Sequence, residues 1–357
     1  MRLNSCQFDP GLGYRRKVLE INFKTFYFGN MDTQTQRNVK TFLQAWMLPI
    51  AMATGVLAYF AVARLHLPEN ARGSINRAIG IIQPSLIFCM LFLSFCKINP
   101  KRLRLRPWHG WLLLIQCVSF LLLSLPPILY KDLPSKVLWE SAMICMLCPT
   151  ATAAAVITGK LGGNTTNLVT YTILINLATA VAVPAVFPLV NPSIGMGFFP
   201  SFLLILGKVF PLLIIPLLLA FLVRYLLPDL HKTIVKAKDL AFYIWSVSLT
   251  LALAVTTKII VHSEINWYYE LGIILISLVC CILQFVLGKR IGGRHHDRIS
   301  GGQSMGQKNT VFAIWLGYTF LSPITSLAGG FYTIWHNLFN AYQLYRIRQE
   351  QEKQKKE

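Results

Sequence analysis

The chain has 357 residues, of which 54% are hydrophobic and only 13% charged, with a mean hydropathy of +0.52. An ordinary soluble domain carries about 25% charged residues, so this composition excludes a disordered chain and leaves a water-soluble enzyme too little charge for its surface. Lys+Arg is 34 against an Asp+Glu of 14, a formal net charge of +20; a nucleic-acid binder could carry that excess but would not be this apolar, and the class that remains is a polytopic helical membrane protein with cations gathered at one face.

In chain order, residues 1–39 form a basic N-terminal extension with Arg2, Arg15, Arg16, Lys17, Lys24 and Arg37. It has no long apolar core, so no cleavable signal peptide is read there, and Met31 is an alternative start. A membrane-crossing helix needs about 20 mostly apolar residues. Apolar runs follow near 43–64, 79–97, 107–130, 137–158, 165–190, 200–227, 239–261, 267–288, 300–320 and 323–342, about ten spans in a domain of residues 40–342. Residues 343–357 form a charged tail.

Orientation follows from the Lys/Arg bias of the loops. With the N-terminus in the cytoplasm, the inside loops hold Lys97 to Arg106, Lys160, Arg224 to Lys238 and Lys289 to Arg298. The outside loops hold only Arg72, Arg77, Lys131, Lys136 and Lys258. An even number of spans returns the basic C-terminus to the cytoplasm. The absence of targeting elements favours a bacterial plasma membrane, and the scattering of cations over short loops argues against nucleic acid. The oligomeric state is not readable.

The fourth and ninth runs are the poorest in large aliphatic residues. The fourth carries Pro149 in mid-span, then Thr150-Ala-Thr-Ala-Ala-Ala155. Proline removes a helical hydrogen bond and clashes with the preceding turn, so a break is predicted. The ninth reads Ser300-Gly-Gly-Gln-Ser-Met-Gly-Gln-Lys-Asn-Thr310. Glycines and amides at membrane depth are expensive unless they line a cavity or bind something. The two interruptions stand five spans apart. Five is odd, so the halves would be inverted relative to each other, the pattern that points to a secondary transporter's midplane site.

Nothing indicates an enzyme. Acidic residues within the spans are nearly absent, with Glu140 and Glu270 at span ends, and no nucleophile–base set or metal-ligand motif is present. Cys145-Met-Leu-Cys148 has apolar flanks and reads as helix packing. Arg294-His-His-Asp-Arg298 reads as a solvated loop.

At the two interruptions the chain resembles the bile acid:sodium symporter family. Cys148-Pro149-x-x-Thr152-Ala153 followed by Gly163-Asn164 is similar to that family's crossover helix. Gly306-Gln-Lys-Asn309 resembles its Gly-x-Gln-Asn stretch, and Ile334-Trp-His-Asn337 its Val-Trp-His-Asn motif. The resemblance implies an all-α fold of ten transmembrane helices in two inverted five-helix repeats. A panel of helices one, two, six and seven would face a core of the rest, with broken helices four and nine crossing. Substrates would be organic anions bound between panel and core.

The family's sodium ligands, carried over one at a time, are largely lost. The Ser-Asn pair falls on Ala154 and Ala155, and the fifth-helix Ser on Leu168. The ninth-helix Glu falls on Ser304, or on Gln303 after a one-residue shift. The Gln before the final Asn falls on Lys308. Only Thr172 and Gln116 are kept. Sodium wants a shell of oxygens, and a fixed ammonium 4 Å away repels it by about 4 kcal/mol at an effective dielectric near 20. The expectation is therefore a sodium-free site with no cofactor. Lys308 takes the ion's place or couples transport to protons, with Gln116, Gln303, Gln307, Asn309, Thr152 and Thr172 as partners. Ser304, Asn164 and His336 complete the candidate set. The alternatives are a Lys308 that snorkels to the surface from a helix end, and a transporter-like receptor that binds an organic anion without moving it.

Overall fold

A computed structural model describes residues 33–65, 68–130, 132–192, 196–237, 240–263 and 265–354. The readings made on residues 1–32 lie outside the described residues. Among these residues the chain forms thirteen α-helices, two single 3-10 turns and no named strand. The helices are α1 (Thr33–Arg64), α2 (Glu69–Cys96), α3 (Pro107–Leu129), α4 (Lys136–Leu147), α5 (Ala154–Lys160), α6 (Thr165–Val190) and α7 (Phe198–Leu226). They continue with α8 (Pro228–Lys236), α9 (Leu240–Val261), α10 (Trp267–Gly293), α11 (Arg298–Gly306), α12 (Thr310–Phe320) and α13 (Leu327–Gln354). The chain divides into two units, Met1–Ile50 and Ala51–Glu357. In the first, the described residues are the opening turns of α1; the second holds the remainder of α1 and every other element.

Among the described residues six helices are long and apolar enough to cross a membrane: α2, α3, α6, α7, α10 and the part of α9 over Tyr243–Val261. The molecule is thus an all-helical protein of membrane-spanning composition. Helices α1, α2 and α13 run beyond their apolar cores, because hydropathy marks lipid depth and not the end of a helix. The nine-residue α8 was not among the apolar runs at all.

Local chemistry sets several helix starts. Pro107 opens α3, where its missing N–H is no loss, and the Arg106 backbone N–H donates to His109 Nδ1 at 3.1 Å. Asn164 caps α6, its Oδ1 accepting from the Asn167 N–H at 3.0 Å. Helices α10 and α11 form a tight hairpin. A Cβ on Gly288 would stand 2.4 Å from the Gly301 carbonyl oxygen, so two backbones touch where side chains are absent. Two apolar clusters fill the interior, one among α2, α6, α7 and α12, the other among α3, α4, α10 and α13.

Candidate functional site

The interruption at Pro149 strands the last carbonyls of α4. In an unbroken helix the Cys145 carbonyl would accept from residue 149, which as proline has no N–H. Gln284 Nε2 on α10 donates to it instead, at 3.0 Å. The Met146 carbonyl accepts from Gln116 Nε2 on α3 at 2.7 Å and from Lys308 Nζ at 3.1 Å. The Leu147 carbonyl accepts from Thr179 Oγ1 on α6 at 3.2 Å. Four side chains from four segments thus cap one helix end, as buried carbonyls require.

The second interruption, residues 307–309, meets the first directly. The Ala151 N–H donates to the Gln307 carbonyl at 2.8 Å and the Asn309 N–H to the Pro149 carbonyl at 2.8 Å, an isolated antiparallel bridge of Thr150 with Lys308. The freed carbonyls of α11 are satisfied in the same way. Ser304 O accepts from Thr150 Oγ1 at 2.6 Å, and Gly306 O from Tyr332 OH on α13 at 2.9 Å. Gly306 is required here, since a Cβ would fall 2.4 Å from the Phe285 ring. Asn309 caps α12, its Oδ1 accepting from the Phe312 N–H at 3.3 Å, and its carbonyl accepts from Cys148 Sγ at 3.3 Å.

Lys308 is 2% exposed, so it does not snorkel to a surface. Its Nζ lies at the C-terminal end of α4, where the helix dipole favours a cation. Ion pairs join Lys136 to Glu140, Lys232 to Asp229 and Arg346 to Glu350, and among the described residues none involves Lys308. Any charge on an amine held by a carbonyl and a dipole, without a carboxylate, is costly.

The other candidates are spread over several places. Gln116, Gln307 and Asn309 lie at the crossing with Lys308. Gln116 shares the lysine's acceptor, and its Oε1 accepts from Tyr171 OH. Ser304 is buried there with Oγ unpartnered, as are Gln307 Oε1 and Asn309 Nδ2. Gln303 turns towards α13, donating through Nε2 to Asn340 Oδ1 at 2.9 Å, and His336 on the same helix is buried with Nδ1 unpartnered. Thr172 Oγ1 is spent on the Leu168 carbonyl of its own helix at 3.0 Å, and Thr152 is half-buried in the turn before α5. Asn164 is away from the crossing, joined by its backbone to Ser300 Oγ at 2.9 and 3.1 Å beside an Asn167–Asp297 contact.

The residues missed from sequence are the caps Gln284, Tyr332 and Thr179, and Tyr171, which holds Gln116. Their only signal was a polar group inside an apolar run. Glu140, read at a span end, is 1% exposed and accepts from Thr325 Oγ1 at 2.7 Å, tying α4 to the turn between α12 and α13. A cavity of about 480 Å³ opens between α1, α9 and α13, lined among others by Met52, Val56, Leu253, Thr256, Phe331 and Ile334. Among the described residues no three His, Cys, Asp or Glu side chains gather as a metal site would need. No family model matches the chain, and no curated protein matches it.

Proposed function

We propose that this protein is a secondary transporter of an organic anion, built like the bile acid:sodium symporters but working without sodium, with the Lys308 ammonium standing where a mobile cation would bind. On this reading α4 with α5 is the fourth of ten spans and α11 with α12 the ninth. The two five-helix halves are inverted, and α1, α2, α7 and α9 form the panel. The termini are cytoplasmic and the host bilayer is a bacterial plasma membrane.

One observation carries the reading: Lys308 Nζ is 3.1 Å from the Met146 carbonyl, at the end of a helix stopped by proline. A helix C-terminus with freed carbonyls is a cation site by construction. Here the cation is covalently attached. The positions carried over from the resemblance agree, since Ala154 and Leu168 are buried and offer no oxygen from their side chains. The apolar cavity beside α13 suits the hydrophobic body of an amphipathic anion.

The test is a thermal-shift panel of organic anions on the purified protein, with and without sodium, followed by flux in proteoliposomes. A ligand at a hundredfold excess over its Kd stabilises by about 2.7 kcal/mol. A stabilising anion that also crosses the membrane supports transport. Stabilisation without flux favours a receptor. Stabilisation by sodium alone contradicts the sodium-free site. Accumulation driven by an imposed proton gradient would make Lys308 a proton carrier instead of a fixed charge.

A further inference from the structure

The short helix α8 is pinned against the far end of α2. His231 Nε2 lies 2.8 Å from the Cys96 carbonyl, and Arg224 Nη1, at the end of α7, donates to the Ile98 carbonyl. This docking brings two basic segments to one end of the molecule. The turn that leaves α2 carries Lys101, Arg102 and Arg104, all exposed, and α8 carries Lys232 and Lys236, also exposed. Against these stands Asp229, which pairs with Lys232 at 3.0 Å.

Large apolar side chains are interleaved with the cations and equally exposed. Leu105 is 73% exposed and Leu226 67%, with Tyr225 and Leu230 beside them. A water-facing cationic patch has no use for such residues. A surface that meets a bilayer does, because leucines enter the acyl region while arginines and lysines hold phosphates at the headgroup level. The amphipathic α8 comes directly after the membrane-spanning α7, which sets it at that level.

We infer that the α2–α3 turn and α8 together form a binding site for the phosphate headgroup of an anionic phospholipid, whose acyl chains cover Leu105, Leu226 and Leu230. The lipid bridges two segments that His231, Arg224 and the packing of Ile234 already bring together, and so adds to what holds α8 in its docked position. The occupant is a phospholipid and not a free phosphate, since a soluble anion would leave the leucines uncovered.

The experiment uses the full chain in nanodiscs of phosphatidylcholine, titrated with phosphatidylglycerol, read by thermal unfolding and by lipid retained in native mass spectrometry. The expected result is saturable retention with a raised unfolding temperature. Affinity should weaken about fivefold for each cation removed in Arg102→Gln/Arg104→Gln and in Lys232→Gln/Lys236→Gln. Arg72→Gln/Arg77→Gln, at the opposite end of α2, should behave as wild type. Equal retention by all variants overturns the site, as does equal stabilisation by inorganic phosphate. If a variant fails to fold, the wild-type titration decides alone, and no preference for phosphatidylglycerol over phosphatidylcholine ends the proposal.

Discussion

Lys308 is a buried lysine that pairs with no carboxylate among the described residues, and a charge buried in that way costs stability. Replacing buried charge with an apolar group of similar volume is often neutral or stabilising by about 1–4 kcal/mol. Lys308→Met should therefore unfold at the same or a higher temperature than wild type while losing organic-anion uptake. A loss of stability with uptake intact would mean that the lysine is a structural strut. Gln284 makes the opposite case. It donates to the Cys145 carbonyl at 3.0 Å and to Tyr332 OH at 3.1 Å. Because Pro149 offers no N–H, nothing local can replace it, and Gln284→Leu should cost about 1–3 kcal/mol in chemical or thermal unfolding. In Gln284→Leu/Pro149→Ala the restored N–H should recover part of that loss, and strict additivity of the two changes would argue that the Cys145 carbonyl is not what Gln284 serves.

At the scale of elements, the α10–α11 hairpin rests on backbone contact. Gly288→Ala must move a carbonyl that lies 2.4 Å from the new methyl group, at a cost of about 1–3 kcal/mol. Gly80→Ala in α2 meets nothing within 4 Å and should gain up to about 1 kcal/mol from helix propensity. Unfolding of the two variants side by side separates close packing from propensity, and equal effects would refute the contact. How much was readable beforehand obeys the same physics. The break after α4 was readable because proline acts on its own helix, and the one after α11 because glycines and amides are out of place in lipid. The caps were not readable. Whether Gln284 or Tyr332 fills a gap or serves a carbonyl depends on which helix faces the break, and sequence spacing does not encode that. Helix α8 escaped because nine residues with alternating character form no apolar run.

For the whole molecule, the proposed topology would make the net charge of +20 mostly a matter of which loops face which side, and the inferred lipid site would use part of it at α8. The crossing of the two breaks is enclosed by side chains from α3, α6, α10 and α13. Any ion that used it would have to compete with an amine tied to the backbone there. On the proposed function, a transporter with a free sodium site should need sodium to fill those carbonyls before substrate binds, and this chain should not. The most direct measurement is organic-anion uptake into proteoliposomes with every sodium ion replaced by choline. Undiminished uptake by the wild type, lost in Lys308→Met under the same conditions, is the predicted result. Uptake that disappears with sodium and returns when it is restored would contradict the assignment of Lys308 as the resident cation.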